Sequence, residues 1–140
     1  MGKINWVRVL FGGVVAGVIF DVLEFFAGPR QVGEQFMREL SALRTAGSPT
    51  PAQMSIFVAW GVVIGILSVW FYAAARPRFG PGPKTAFCVA FNLWILWALW
   101  PHLAWWAMGL FSLKLMAIYS AKLLLWQVIT TEIGAWLYAE

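Results

Sequence analysis

Apolar residues run almost without interruption over about 4–27, 51–75, 85–107 and 113–138, and each run reaches the roughly 20 helical residues that cross a bilayer. The segments between them are polar or rich in glycine and proline. The first run closes on Gly28-Pro29, which reads as a helix stop. Past it, over about 31–45, Val32, Phe36, Leu40 and Leu43 recur at helical spacing, while Glu34, Arg38, Glu39 and Arg44 fall mostly around the other side. That pattern predicts a short amphipathic helix on the membrane surface, or one that caps the bundle through the same apolar stripe. The fold expected is all-α: a polytopic membrane protein of one domain, with four transmembrane helices in an antiparallel bundle and this interfacial helix after the first span.

Local signals mark the other boundaries. Ala46-Gly47-Ser48-Pro49 breaks the short helix, and Thr50-Pro51-Ala52-Gln53 starts the next with an N-cap, a first-turn proline and a capping-box glutamine. Arg76-Pro77-Arg78-Phe79-Gly80-Pro81-Gly82-Pro83-Lys84 is a tight, basic turn. Pro101 cannot donate to the carbonyl of Trp97 and should kink the third span.

Polar residues inside the runs change the picture more than the boundaries do. In GVVAGVIFDVLEFFAG, residues 13–28, Gly13, Gly17, Asp21, Glu24 and Gly28 share roughly 80° of helical arc. Glycines four apart admit a second helix at close range, and carboxylates in hydrocarbon need a cation, a proton or water, so this face must point into protein. Gly61 and Gly65 repeat the spacing in the second span, which suits close packing of the two helices.

Composition agrees with membrane residence: the chain is 61% hydrophobic and 11% charged, where soluble domains carry about 25% charged residues. The net charge of +4 is scattered over short loops and helix ends, which argues against a nucleic-acid partner and for positive-inside topology. With five bases (Lys3, Arg8, Arg76, Arg78, Lys84) on the side of the termini and four (Arg30, Arg38, Arg44, Lys114) on the other, both termini are expected in the cytoplasm. The basic start and apolar middle of the first run resemble a signal peptide. It lacks an A-x-A site and carries Asp21 and Glu24 where cleavage would fall, so it is expected to stay as a span. The lone Cys88 excludes an internal disulfide and is expected as a small packing residue.

INWVRVLFGGVVAG at the start and YAAARPRFGPGPKTA at the second turn resemble a group of small, uncharacterised bacterial membrane proteins with an INW-x-RV-x-x-GG opening and an RPRFGPGPKTA-type turn. The resemblance covers the first span and the central turn. It implies a four-helix protein of the bacterial inner membrane and no activity.

Counting depth at about 1.5 Å per residue, Asp21, Glu24, His102 and Lys122 share the outer third of the membrane. Lys122 is expected to pair with Asp21 or Glu24, with His102 close, because an unpaired charge there costs at least a few kcal/mol. The cluster reads either as a structural ion pair or as a pathway for protons, cations or a small polar solute. Arg8, Asn92 and Glu132 form a second candidate cluster toward the inner face, with an apolar plug between the two. His102, the only histidine, is a candidate axial ligand for haem or chlorophyll, set against simple hydrogen bonding within the bundle. On a regular helical wheel Trp94, Trp97 and Trp100 lie away from Asn92 and His102, which assigns them to lipid, another subunit or a pigment. Arg76, Arg78 and Lys84 are placed to meet lipid phosphate or a partner's acids, or simply to set orientation.

No nucleophile-base pair, metal-ligand pattern or phosphate loop is recognisable, so the expected role is non-catalytic. The chain reads as a helical packing module that forms homo-oligomers or joins a larger membrane complex. The alternatives are a small transporter or channel using Asp21, Glu24, His102 and Lys122, and a tetrapyrrole-binding subunit.

Overall fold

A computed structural model describes residues 4–43 and 50–138, with the backbone alone over 28–32. The helices are α1 (Trp6–Leu43), α2 (Pro51–Phe79), α3 (Pro83–Trp94), α4 (Trp100–Ala107) and α5 (Leu113–Tyr138), and a π-helical turn, Ile95–Leu99, joins α3 to α4. Four stretches are long and apolar enough to cross a membrane: Trp6–Ala27, Pro51–Phe79, Pro83–Ala107 and Leu113–Tyr138.

The ends of α2 are fixed by local chemistry. Thr50 Oγ1 accepts from the Gln53 N–H at 3.3 Å and Gln53 Oε1 accepts from the Thr50 N–H at 2.9 Å, closing the capping box. At the other end Gly80 takes a φ of 83°, which glycine adopts without strain, and its N–H returns to the Arg76 carbonyl. The turn between α2 and α3 is tied down on both sides: the Gly82 N–H donates to Tyr72 Oη at 3.0 Å and Thr85 Oγ1 donates to the Gly80 carbonyl at 2.8 Å.

The third span is not one regular helix. Pro101 offers no N–H to Trp97, and the chain accommodates this with a wide turn in which the Trp100 N–H reaches back to the Ile95 carbonyl. One extra residue in a turn rotates the rest of the helix by roughly 100°.

α1 departs from the sequence expectation. The helix continues through Gly28-Pro29 to Leu43, so the segment after the first span is an extension of α1 and not a separate helix. Its 38 residues would reach about 57 Å, well beyond the roughly 30 Å hydrocarbon core. Tertiary contacts hold the extension. Phe36 stacks on Phe111 and Tyr119, with ring centroids 5.7 and 5.8 Å away. Glu39 accepts from the Ser112 N–H and from Ser112 Oγ, both at 2.8 Å, at the start of α5. A carboxylate there satisfies an otherwise unpaired donor and faces the positive end of the helix dipole. These hydrogen bonds, that from the Ser112 backbone foremost, hold the Glu39 carboxyl below its ordinary pKa.

α1 and α2 meet through glycine. A Cβ on Gly13 would stand 2.5 Å from the Ile66 Cα, and one on Gly17 would stand 2.5 Å from the Val62 Cα. A Cβ on Gly65 would collide with the backbone of Gly13 and Gly17. A second seam, which the sequence pattern did not suggest, joins α1 to α5 where Gly12 faces the Gly134 carbonyl. α5 is the shared partner, packed against α1, α2, α3 and α4. Its interior face is strongly polar for a helix long and apolar enough to cross a membrane: Ser120, Lys122, Gln127, Thr130 and Thr131 are all buried. The outward faces are apolar, with Phe25, Ile56, Leu96 and Trp136 among the exposed residues.

Candidate functional site

The buried charges gather where α1 and α5 pass one another. Lys122 Nζ lies 2.9 Å from Glu24 Oε1 and donates to Glu24 Oε2 at 3.1 Å. Tyr119, one turn before Lys122, donates its hydroxyl to the same Oε2 at 3.2 Å. The ammonium also sits 4.0 Å from the centroid of the Tyr119 ring, close enough for a cation-π contact. Only 4% of the Lys122 side chain is exposed, so these contacts replace its hydration. Tyr119 has a signal in the sequence, as a tyrosine three residues before the lysine on the same helix.

His102 also packs against Tyr119. Its ring meets Tyr119 and Trp105 edge to face, each at 5.3 Å between centroids, and the residue is 4% exposed. Its Nδ1 is buried and has no hydrogen-bond partner among the described residues. Among the described residues no three histidine, cysteine or acidic side chains gather as a metal site.

Asp21 stands one turn from Glu24 but on the α2 side. Its carboxylate occupies the space that a Cβ on Gly61 would need. Asp21 Oδ2 is buried without a hydrogen-bond partner among the described residues. Lys122 therefore neutralises Glu24, and the second acid is left against glycine backbone.

One and a half turns along α5 from Lys122 lies a network that was not foreseen. Gln127, fully buried, donates through Nε2 to Ser68 Oγ on α2 at 2.8 Å and to Thr131 Oγ1 at 3.0 Å. Its Oε1 accepts from the Trp97 indole N–H at 3.1 Å. One amide thus links α2, α5 and the third span, where an apolar plug was expected.

Trp94 and Trp97 are accordingly not the outward contact wall that a regular wheel implied. Trp94 is 8% exposed and donates its indole N–H to the Ser120 carbonyl at 2.8 Å, and the Trp97 ring meets Phe20 edge to face. The π-helical turn shifts the phase of the span, which is why both tryptophans and His102 face inward together. Trp100, 63% exposed, does face outward.

The proposed inner cluster does not gather around Asn92. That residue is exposed, and its amide donates to the Cys88 carbonyl of its own helix at 2.8 Å. Arg8 and Glu132 are each half-buried, on α1 and α5. Cys88, expected inside, is exposed. In the basic turn, Arg76 lies 5.9 Å from the Tyr138 ring centroid, Arg78 lies 5.9 Å from that of Phe79, and Lys84 is exposed.

No family model, curated protein or solved structure matches the chain.

Proposed function

We propose that this chain is a non-catalytic helical module of the bacterial inner membrane, an antiparallel four-helix bundle with both termini in the cytoplasm that assembles with further copies of itself. The observation that carries the reading is the start of α2. All ten residues from Pro51 to Trp60 are exposed, and Met54, Ile56, Phe57, Val58 and Trp60 are large and apolar. A helix in a complete bundle covers one of its faces; this stretch covers none, and a neighbouring copy supplies the missing contact. The rest of the molecule supports a packing role. The glycine seams, the Gln127 amide and the Lys122–Glu24 pair are all used within the chain. The extension of α1 past Ala27 is likewise used within the chain, packed through Phe36 and Glu39 on the turn between α4 and α5.

The test is a cysteine placed at Phe57 or Trp60 on a Cys88→Ala background, oxidised in native membranes. Dimers or higher species should form from these positions and not from a cysteine at Leu96. A monomeric mass in mild detergent, with no cross-linking from either position, would remove the proposal.

A second reading, a small proton or cation transporter, is favoured by the two buried atoms left over from the pairing, Asp21 Oδ2 and His102 Nδ1. Ion flux in liposomes holding the purified protein decides it: a transporter loses flux in Asp21→Asn while staying assembled, and a packing module shows no flux to lose.

A further inference from the structure

A groove between α2 and α3, beside the basic turn, belongs neither to the charge cluster nor to the Gln127 network. Its volume of about 590 Å³ falls in the range of roughly 300–1,000 Å³ typical of small-molecule sites. Phe71, Ala75 and Phe79 form one wall, and Val89, Leu93 and Leu96 the other. From Lys84 to Leu96 the lining spans 12 helical steps, about 18 Å, close to one leaflet of a hydrocarbon core about 30 Å thick. Phe71, Phe79 and Leu96 are exposed, so the groove opens sideways, toward lipid.

The mouth is cationic. Lys84 lines it and Arg78 stands on the same turn, and neither forms an ion pair with an acid among the described residues. The turn presenting them is preorganised by Pro77, Pro81 and Pro83 and by the Gly82–Tyr72 and Thr85–Gly80 hydrogen bonds. An occupant that satisfies both parts carries negative charge at one end and a leaflet-length apolar chain at the other.

We infer that this groove and turn bind an anionic glycerophospholipid, with its phosphate on Arg78 and Lys84 and one acyl chain laid between α2 and α3. A zwitterionic lipid fits the groove equally well but brings its own cation to the same two bases, so the site discriminates by headgroup charge. The inference rests on the reading of α2 and α3 as membrane spans.

Native mass spectrometry of the full chain tests it, after exchange into detergent with equimolar phosphatidylglycerol and phosphatidylcholine of matched chains. Phosphatidylglycerol should be retained preferentially. Arg78→Gln with Lys84→Gln should lower that preference roughly thirtyfold, as two interfacial bases imply. Ala75→Phe, which fills the groove and keeps both charges, should lower retention of both lipids. Glycerol 3-phosphate, a headgroup without chains, should displace nothing. Equal retention of the two lipids, a preference that survives the double substitution, retention unaltered by Ala75→Phe, or displacement by glycerol 3-phosphate would each overturn the site. Helicity by circular dichroism shows that each variant is folded. A chain that partitions into water in detergent phase separation defeats the span reading itself; one that enters the detergent phase without preferring phosphatidylglycerol defeats only the lipid site.

Discussion

Lys122 on α5 and Glu24 on α1 form an ion pair at 2.9 Å with 4% of the lysine side chain exposed. Removing only the cation strands a carboxylate in a low-dielectric interior. Lys122→Met should therefore destabilise the protein by about 3–5 kcal/mol. Lys122→Met combined with Glu24→Gln should recover most of the loss, because neither charge then remains. Unfolding in detergent, followed by circular dichroism, measures both variants. A single substitution no worse than the double one would show that the pair does not hold α1 to α5.

The α1–α2 seam allows no side chain at Gly65, where a Cβ would meet the backbone of Gly13 and Gly17. Gly65→Ala must push two helices apart, at about 1–3 kcal/mol. Val63→Ala, on the exposed face of the same helix, should be close to neutral. Thermal unfolding of the two variants side by side gives the comparison.

Gln127→Leu keeps the volume of the side chain and deletes three hydrogen bonds, leaving the Trp97 indole and the Ser68 and Thr131 hydroxyls without their amide partner. A loss of about 1–2 kcal/mol is expected. The Trp97 contribution can be isolated with Trp97→Phe. If Gln127 holds the third span through that indole, the two substitutions will be strongly non-additive.

The contact between the α1 extension and the start of α5 should respond to acid. The Glu39 carboxyl is held below its ordinary pKa by the Ser112 N–H, with Gln35 and the Ser112 hydroxyl adding to this. A depressed folded-state pKa means that the stabilisation is complete above the unfolded-state value and is lost as the pH falls through the folded one. Protection of the extension against hydrogen exchange, taken relative to the intrinsic rate at each pH, should therefore fall on acidification through the glutamate range, and Glu39→Gln should be less protected at neutral pH and lose that pH dependence. Identical profiles for the two proteins would dissociate Glu39 from the docking.

The four long apolar helices could be read from the sequence because each run of about twenty apolar residues is bounded by polar or glycine- and proline-rich segments. Relative depth could be read too: the rise of a helix alone sets Lys122 level with Asp21 and Glu24. Which acid takes the lysine could not, since it depends on how α1 is rotated by its glycine contacts with α2. The stop signal at Gly28-Pro29 misled because proline is tolerated in a helix when outside contacts hold the chain, and here Phe36 and Glu39 supply them. The tryptophan wheel misled on His102 because it assumed 3.6 residues per turn throughout, and on Trp94 because it took the side of the polar Asn92 as the inner one, whereas Asn92 is exposed and Trp94 buried. Gln127 and Ser68 carried no signal of their own. A single buried amide becomes recognisable only when its partner on another helix is known.

The π-helical turn at Ile95–Leu99 acts as a one-residue spacer. Deleting any single position within it would restore regular geometry with α4 facing as it does now, whereas adding one further residue would swing the whole of α4 round by roughly 100°. His102 would then trade its aromatic niche for the outer surface of the bundle, although no charge, helix or hydropathy profile had changed. At this point in the chain the number of residues, and not their kind, decides which side chains the interior receives.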